Sequence, residues 1–293
     1  MNIIDGKLIA EQIKTEIANE VRKMIDDDKN PPHLAAILVG EDPASQTYVA
    51  SKEKSCKEVG FISSIYRYPS TISEIDLLKA VEFLNLDDEI DGFIVQMPLP
   101  KHISVDKVIE SIDPKKDVDG FHPINAGRML ANLPSYLPAT PYGIMQMLER
   151  CNIETEGKHC VVLGRSNIVG TPISILMSRN NKHANATVTL CHSKTKNLEE
   201  ITRQADILIA AIGKPLFVTS SMVKEGAVVI DVGIHRVASS ETKSGFRLIG
   251  DVDFLNVSKK CSYISPVPGG VGLMTIVGLL QNTLKAAKKE IYQ

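Results

Sequence analysis

The segment CVVLGRSNIVG, from Cys160 to Gly170, is an apolar run that enters a glycine-bounded turn and then a helical pattern. A turn of this kind presents backbone N–H groups at the positive end of a helix, where the phosphates of a dinucleotide bind. The motif departs from the fingerprint G-x-G-x-x-G, because Ser166 occupies the second glycine position and Gly170 comes one residue late after Gly164. By itself it fits an ordinary strand-to-helix turn equally well.

The end of the next predicted strand, ATVTLC, favours a nucleotide ligand and indicates which one. In NAD-binding domains an acid stands about twenty residues past the glycines and binds the ribose hydroxyls. This chain has Ser193, Lys194 and Lys196 there instead, and Arg165 stands beside the first glycine. Cations and hydroxyl donors suit the 2′-phosphate of NADP. We therefore predict NADP rather than NAD; the alternative is that these residues are solvated loop charges.

A tyrosine and a lysine lie four residues apart in an earlier helical pattern. Tyr48 and Lys52 leave the same face of this helix, which follows the strand LAAILV through the turn GEDPAS. Ligand clefts of parallel sheets lie at the carboxyl ends of the strands, so the position of this pair suits a ligand cleft. The alternative is an ordinary surface pair.

Two further segments bring an amide and carboxylates to the same predicted edge. Gln96 lies at the carboxyl end of the strand GFIVQM, and Asp117 and Asp119 precede a turn at Gly120. Three loops of one parallel unit would then offer an ammonium, an amide and carboxylates to a common site. The alternative is that the aspartates build an Asx-type turn, and we expect one of them to do so.

Later strands end in loops rich in glycine and proline. Gly213 follows one strand, DVG follows another at 231–233, and the last loop, YISPVPGGVGLMT, contains Gly269 and Gly270. Proline fixes the path of such a loop, and glycine permits a flat ring to approach its backbone closely. Each loop alone also fits an irregular helix entry. If two parallel sheets order these loops, we expect them to line one shared cleft.

Alternating helices and strands are needed to position these residues. Ile9, Ile13, Ile17 and Val21 form one apolar stripe on a helix predicted from about Lys7 to Asp27. The strands predicted in the first half are 34–39, 62–68 and 92–97, separated by helices at 45–59 and 73–84. Near-continuous apolar strands that alternate with helices predict a parallel sheet covered on both faces.

The proline-rich segment 134–141 marks a boundary after which the pattern restarts as a Rossmann domain. A final helix, predicted at about 274–291, is expected to return to the first domain. We predict an α/β fold of two domains: residues 1–140 with 274–293 in an N-terminal parallel-sheet domain, and residues 141–273 in a C-terminal Rossmann domain.

Composition excludes several classes of protein. The 33 basic and 35 acidic side chains leave a net charge of −2, which gives no electrostatic case for a nucleic-acid or membrane partner. The N-terminus lacks the continuous apolar core of a signal peptide, and no apolar run reaches membrane-spanning length. The 5 cysteines are widely spaced, without a C-x-x-C pair. We therefore expect reduced thiols in a cytoplasmic protein, with no disulfide framework and no structural metal.

Taken together, these segments resemble one known family. YVASK, VQMPLP, KDVDGFHPINAG, PATPYG, GRSNIVGTP, CHSKT, DVG and PVPGGVGLMT are similar, in the same order, to the bifunctional methylenetetrahydrofolate dehydrogenase and methenyltetrahydrofolate cyclohydrolase family. The resemblance runs from the first helix to the last. Leu273 departs from it, since the family usually has proline there, at the helix entry. Met97 replaces a leucine and keeps its volume.

The resemblance implies NADP-dependent oxidation of 5,10-methylenetetrahydrofolate to 5,10-methenyltetrahydrofolate, and hydrolysis of that product to 10-formyltetrahydrofolate, in one-carbon metabolism. It implies that Lys52 transfers protons in the hydrolysis, that Gln96 orients the lysine, that Tyr48 contacts the folate ring and that Asp119 binds the pterin edge. It also implies a folate-binding N-terminal domain and a homodimer.

The candidate site residues form three sets. The catalytic candidates are Lys52, Tyr48, Gln96 and Asp119. The cofactor-binding candidates are Gly164, Arg165, Ser166, Gly170, Ser193, Gly213 and Ile234. The substrate-binding candidates are Tyr48, Lys52, Gln96, Pro98, Leu99, Asp119, Pro268, Gly269 and Gly270.

Three alternatives to the bifunctional enzyme stay open. One is a member of the family with the dehydrogenase activity alone, against which the presence of both Lys52 and Gln96 argues. The second is an NADP-dependent reductase of a small hydroxy or keto acid, and the third is an NADP sensor without activity. Tyr48, which suits a pterin-sized ligand, argues against the reductase. A sensor would have no use for the combination of Tyr48, Lys52, Gln96 and Asp119.

Overall fold

The computed structural model describes residues 1–240, 242 and 245–292, and the chain divides into two compact units. The first unit comprises Gln12–Ala139 and Ile276–Gln293, and the second unit comprises Met1–Glu11 and Thr140–Thr275. In chain order the elements are β1 (Asn2–Ile3), α1 (Gly6–Asp26), β2 (His33–Val39), α2 (Pro43–Val59), β3 (Ile62–Tyr68), α3 (Glu74–Leu86), β4 (Gly92–Val95), α4 (Val105–Ser111), α5 (Pro123–Leu130), α6 (Ala139–Arg150), β5 (His159–Leu163), α7 (Gly170–Ser178), β6 (Thr187–Cys191), α8 (Leu198–Thr202), β7 (Ile207–Ala210), β8 (Val228–Asp231), β9 (His235–Ala238), β10 (Phe246–Ile249), α9 (Phe254–Val257), β11 (Tyr263–Ile264) and α10 (Val271–Ala287).

The first unit is built on a parallel sheet of three strands in the order β3-β2-β4. Parallel neighbours need crossover connections, which α2 and α3 supply. Leu34–Val39 of β2 and all of β4 are buried, because helices cover both faces of these strands. β3 lies at the edge of the sheet and exposes Ile62. The carboxyl ends of β2 and β4 therefore lie side by side, where the sequence predicted a site.

The second unit contains a parallel sheet of six strands in the order β1-β11-β8-β7-β5-β6, and β9 and β10 form an antiparallel hairpin. After β5 the chain moves outward to β6 and then returns to β7 on the other side of β5. The strand order thus reverses between β5 and β7. In open α/β sheets ligands bind at the carboxyl ends of the strands at such a point. The predicted α/β fold with two parallel sheets is confirmed.

The first strand corrects the predicted division of the chain, which placed residues 1–140 in one domain. Asn2 and Ile3 pair with Tyr263 and Ile264 of β11, so the N-terminus extends the sheet of the second unit. Ile4 is fully buried there, and its N–H donates to the carbonyl of Ile264 at 2.9 Å. A strand of two residues shows no periodicity in the sequence, and its partner lies at the other end of the chain.

The last helix returns to the first unit, as the sequence analysis predicted. From Ile276 onward α10 belongs to the first unit, where Asn282 Nδ2 donates to the carbonyls of Val118 and Leu137, both at 2.8 Å. Lys288, just beyond the helix, pairs with Glu20 of α1 at 2.8 Å. The C-terminal segment therefore holds both the opening helix and the loop that carries Asp119.

The cysteines are free thiols, as their spacing predicted. Cys56, Cys160, Cys191 and Cys261 are buried and Cys151 is partly buried. Burial raises the pKa of the Cys160 thiol to about 12, which makes it unreactive near neutral pH. Among the described residues, no helix is both long and apolar enough to cross a bilayer.

Candidate active site

Helix α2 carries the candidate amine of the first unit. Its start is fixed by Asp42, whose side chain accepts the N–H of Ser45 at 2.8 Å, and by Pro43 in the first turn. Since α2 follows β2 through a short loop, its first turns lie at the carboxyl edge of the sheet. Tyr48 and Lys52 stand one turn apart on this helix, as predicted.

Lys52 is buried, with 6% of its surface exposed. Its Nζ donates to Gln96 Oε1 at 3.2 Å and lies 4.6 Å from the centroid of the Tyr48 ring. A cation over an aromatic face is attracted by the ring quadrupole, so the tyrosine partly compensates for the loss of water around the ammonium. The structure therefore brings Tyr48, Lys52 and Gln96 together as the sequence predicted.

Gln96 is held by its own backbone and by its neighbour. It directly follows β4, and its N–H continues the sheet ladder by donating to the carbonyl of Ile37 at 2.9 Å. Its Nε2 donates to the carbonyl of Met97 at 2.7 Å, which leaves Oε1 for the lysine. The glutamine thus presents a fixed acceptor to Nζ.

Burial and one carboxylate set the charge balance of this site. Burial lowers the pKa of the Lys52 ammonium, and the negative charge of Asp119 opposes that shift. Burial likewise raises the pKa of Asp119, and the charge of Lys52 opposes that shift. An amine with a lowered pKa exchanges protons closer to neutral pH than an exposed lysine does.

Asp117 and Asp119, in the loop after α4, make different interactions. Asp117 is almost fully buried and accepts the N–H groups of Phe121 at 3.2 Å and His122 at 2.8 Å, together with Asn125 Nδ2 at 2.9 Å. Burial raises the pKa of Asp117 to about 7, and these donors act in the opposite direction. Asp117 is therefore the aspartate that builds the predicted turn, and Asp119 faces the charge of Lys52.

A second layer of residues, which the sequence analysis missed, holds this loop. Asn125 Oδ1 accepts the hydroxyl of Tyr292 at 2.7 Å, and the Tyr292 ring packs on Tyr136 with ring centroids 5.7 Å apart. Asn282 binds the carbonyl of Val118, the residue before Asp119. No sequence signal points to this arrangement, because its members come from opposite ends of the first unit.

The glycine turn of the second unit is close-packed. Gly164 has φ +111°, and a Cβ atom there would overlap the carbonyl oxygen of Ala211, in the loop after β7. A Cβ atom at Gly170 would overlap the carbonyl oxygen of Gly164. Both glycines are therefore required by geometry, and the turns after β5 and β7 touch each other.

Ser166 explains the departure from the glycine fingerprint. Its Oγ accepts the N–H groups of Val169 at 3.2 Å and Gly170 at 3.3 Å, so the serine side chain holds the turn that leads into α7. The backbone N–H groups of residues 165–168 donate to no acceptor within the part of the chain that the structure describes. Exposed N–H groups before a helix of this kind fit the phosphates of a dinucleotide.

The basic and hydroxyl candidates flank this turn. Leu163 pairs with Cys191, so Arg165 and Ser193 stand two residues beyond the paired ends of neighbouring strands. Both side chains are exposed. The N–H of His192 donates to the hydroxyl of Thr195 at 2.9 Å, which shapes the turn that presents Ser193. The same edge thus offers a guanidinium and a hydroxyl to an anion.

Gly213 and Ile234 follow β7 and β8 at the same edge of the sheet. Gly213 has φ +71°, and no atom lies within 4 Å of the place where its Cβ would stand. Ile234 is 54% exposed although it is a large apolar residue. An open glycine face and an exposed isoleucine give a flat ring an apolar surface.

The remaining substrate candidates are divided between the units. Pro98 is exposed in the first unit, and Leu99 packs against the core of that unit. Pro268, Gly269 and Gly270 belong to the second unit. In that loop Gly269 has φ +102°, and a Cβ atom at Gly270 would overlap the carbonyl of Pro266.

The unusual Leu273 makes a bond that a proline could not make. Its N–H donates to the carbonyl of Gly270 at 3.3 Å, within the first turn of α10. The loss of proline rigidity at this helix entry is therefore partly compensated by a backbone hydrogen bond.

An open parallel sheet with a phosphate-binding turn, together with a second parallel sheet that buries an amine at its carboxyl edge, defines a dinucleotide-dependent α/β enzyme. Family models agree with this assignment. The catalytic domain of tetrahydrofolate dehydrogenase/cyclohydrolase matches residues 4–119, and its NAD(P)-binding domain matches residues 138–291.

Individual relatives cover the whole chain. The bifunctional protein FolD of Cytophaga hutchinsonii is 62% identical over 98% of this chain and 99% of its own length. The crystal structure of the bifunctional FolD enzyme from Campylobacter jejuni superposes with a TM-score of 0.93 at 48% identity and covers 99% of both chains. The Trypanosoma brucei enzyme, complexed with NADP cofactor and inhibitor, gives a TM-score of 0.92 at 36% identity, over 99% of this chain and 98% of that one.

The chain belongs to the tetrahydrofolate dehydrogenase/cyclohydrolase family. It is a bifunctional enzyme of one-carbon metabolism with an NAD(P)-binding domain. Membership of the family answers the question that the sequence left open between a folate enzyme, a reductase of hydroxy acids and a sensor without activity.

The packing of the glycine turn predicts the effect of one added methyl group. Gly170→Ala should destabilise the protein by about 1–3 kcal/mol, because the new Cβ overlaps the Gly164 carbonyl in a closely packed turn. Chemical denaturation followed by circular dichroism measures this loss. Gly127→Ala is the matched control: it lies in α5 with no atom within 4 Å of its Cβ position, and it should be neutral or slightly stabilising. Equal stability of the two variants would contradict the packing argument.

Proposed function

We propose that this protein oxidises 5,10-methylenetetrahydrofolate with NADP⁺ and then hydrolyses the 5,10-methenyltetrahydrofolate to 10-formyltetrahydrofolate, with the site residues named above. The observation that carries this proposal is the environment of Lys52: a buried ammonium bonded to Gln96, stacked on Tyr48 and electrostatically coupled to Asp119. The hydrolysis needs proton transfers, and this site contains a group with a pKa shifted for that purpose.

The hydrolysis is assigned to these groups as follows. Water adds to the methenyl carbon and loses one proton, which leaves a hydroxyl group on that carbon. The hydroxyl then loses its proton as the formyl C=O forms, the bond from that carbon to N5 breaks, and N5 takes up one proton. The formyl group stays on N10, and one proton is released overall. Lys52 transfers the protons, Gln96 holds Nζ in place, and Tyr48 supplies a flat face for the folate ring.

Binding of the pterin is assigned to Asp119. Its carboxylate matches the amide and amino edge of a pterin, which offers two neighbouring N–H donors. Asp117 and Asn125 hold the turn, so the carboxylate is positioned before substrate arrives. Pro98 and Leu99 are the further substrate contacts that we propose on the first unit.

The oxidation step does not need a side chain that acts as a strong base. NADP⁺ supplies the acceptor for the hydride of the methylene carbon, and the nitrogen lone pair of the folate expels that hydride without a strong base. The protein must therefore orient and shield its ligands. Gly164, Ser166 and Gly170 form the phosphate-binding turn, and Gly213 and Ile234 offer the surface for the nicotinamide half.

Selection of NADP over NAD is assigned to Arg165 and Ser193. Both follow paired strand ends at the edge where an NAD-binding domain carries an acid. This chain has no acid between Cys191 and Asn197. A guanidinium binds a phosphate bidentately and would be left unsatisfied by the plain ribose of NAD.

The edge strand β3 supports the homodimer that the family resemblance implies. One side of β3 pairs with β2, and its other side pairs with no strand of the described chain. An exposed edge that carries apolar residues such as Ile62 suits pairing with a second copy. The free buried thiols suit the reducing cytoplasm, where we place the protein.

Lys52→Met should abolish the cyclohydrolase activity and leave NADP⁺ binding intact, because it removes the proposed proton-transfer group and leaves every proposed nucleotide-binding residue unchanged. General acid–base catalysis contributes about 10²–10⁴-fold, so a loss of that size is expected in the decay of the methenyl absorbance. Lys54→Met, on the same helix with its side chain 79% exposed, is the matched control and should behave like the unmodified enzyme. Unchanged ring opening in Lys52→Met would remove this lysine from the mechanism.

Arg165→Ala should weaken the use of NADP⁺ and spare the use of NAD⁺. We expect kcat/KM for NADP⁺ to fall roughly tenfold or more, since a charged hydrogen bond to phosphate is lost. Steady-state rates with each dinucleotide measure the ratio, and NAD⁺ serves as the internal control. A parallel fall with both dinucleotides, or a preference of the unmodified enzyme for NAD⁺, would contradict the assignment.

The proposed homodimer predicts a solution mass of twice the chain mass of 32.0 kDa. Sedimentation equilibrium at micromolar concentration measures this mass directly. A monomer at all accessible concentrations would show that the free edge of β3 stays unpaired.

A further inference from the structure

A fully buried carboxylate lies behind the nucleotide edge of the second unit. Asp251 has 0% exposure and follows β10. Its Oδ2 accepts the N–H groups of Ile212 at 2.8 Å and Gly213 at 2.9 Å. Its Oδ1 accepts Nε2 of His235 at 2.7 Å. One carboxylate therefore joins the loop after β7 to the first residue of β9.

The histidine is the only side-chain donor to this carboxylate among the described residues. An ionised Asp251 accepts only, so the proton of a neutral His235 ring resides on Nε2. A buried carboxylate without enough donors is costly, and two backbone N–H groups with one imidazole N–H satisfy it. His235 thus completes the set of donors that hold the Asp251 carboxylate in place.

A second buried aspartate fixes Asp251 in turn. Asp231, at the end of β8, accepts the N–H of Asp251 at 2.9 Å and that of Gly233 at 3.0 Å. A Cβ atom at Gly233 would overlap the Asp251 carboxylate, and one at Gly250 would overlap that of Asp231. The two carboxylates are therefore packed against backbone that leaves no space for movement.

We infer that His235 is a positioning residue for the cofactor: through Asp251 it fixes the loop of Ile212 and Gly213 and, through its own backbone, the neighbouring Ile234. This inference rests on the proposed function, which places the cofactor against Gly213 and Ile234. The loop after β7 also touches the glycine turn, since the Ala211 carbonyl fills the space beside Gly164. His235 contacts a carboxylate and acts through it.

His235 differs from a core residue because it is partly exposed at the cofactor edge. Its side chain is 21% exposed while its partner carboxylate is fully buried, so it links the surface of the cofactor edge to the interior. Loss of the imidazole leaves two backbone N–H donors for a charged group and releases the loop that presents Gly213. The effect should therefore fall on cofactor binding.

The test compares His235→Leu with His235→Gln, whose Nε2 can donate to Asp251 as the imidazole does. Isothermal titration of NADP⁺ into the protein should show a Kd raised about tenfold for His235→Leu and within about twofold of the unmodified protein for His235→Gln. KM for NADP⁺ should follow Kd, with a smaller change in kcat.

The matched control is His159→Leu. His159 begins β5 at the opposite edge of the same sheet, where its Nε2 lies 2.9 Å from Thr189 Oγ. The His159→Leu substitution makes the same chemical change in a histidine that is also hydrogen-bonded but lies far from the cofactor edge. The cyclohydrolase activity, whose proposed catalytic residues lie in the first unit, reports whether each variant has folded.

The outcomes separate this inference from the proposed function. An unmodified protein that neither binds NADP⁺ nor oxidises methylenetetrahydrofolate would refute the proposed function. An active unmodified protein with unchanged Kd and KM in His235→Leu would overturn the inference alone. Equal losses in His235→Leu and His159→Leu, or no recovery in His235→Gln, would overturn it as well, because the effect would then be one of general stability.

Discussion

The buried positive charge of Lys52 is the constraint on which the candidate site of the first unit depends. Lys52 lies where water cannot solvate its ammonium, and an isolated charge in such a place is strongly unfavourable. The fold compensates with an amide oxygen from Gln96, the face of Tyr48 and the charge of Asp119. The compensation is partial, so the pKa stays lowered. That lowered pKa is the reason why we assign proton transfer to this amine.

Both units use buried carboxylates to fix loops. Asp117 gathers backbone N–H groups around the turn before α5, and Asp231 and Asp251 do the same behind the nucleotide edge. A carboxylate with several N–H donors replaces the water that a polar loop would otherwise need. Asp119 differs, because the charge of Lys52, and not a set of backbone N–H groups, opposes the effect of burial on the pKa of its carboxyl. We therefore assign this carboxylate to a ligand.

The sequence predicted the sheets and the proximity of Tyr48 to Lys52 because the signals for both are local. Tyr48 and Lys52 share a helix face by their spacing, and apolar runs bounded by glycine and proline marked most strands to within a few residues. The pairing of Asn2 with Tyr263 escaped prediction, as did the bond of Tyr292 to Asn125. These contacts join distant segments that carry no shared pattern.

By itself the sequence determined the class of fold, the glycine turn, the absence of an acid after β6 and the chemical types of the site residues. Each of these depends on residue identity or on short spacing. Only the tertiary structure decided which aspartate of the DVDG turn accepts the backbone N–H groups, and that the Ser166 hydroxyl holds the turn before α7. It also decided that Lys52 is buried and that His235 reaches Asp251. Burial and long-range hydrogen bonds arise when remote segments meet, so a linear pattern does not contain them.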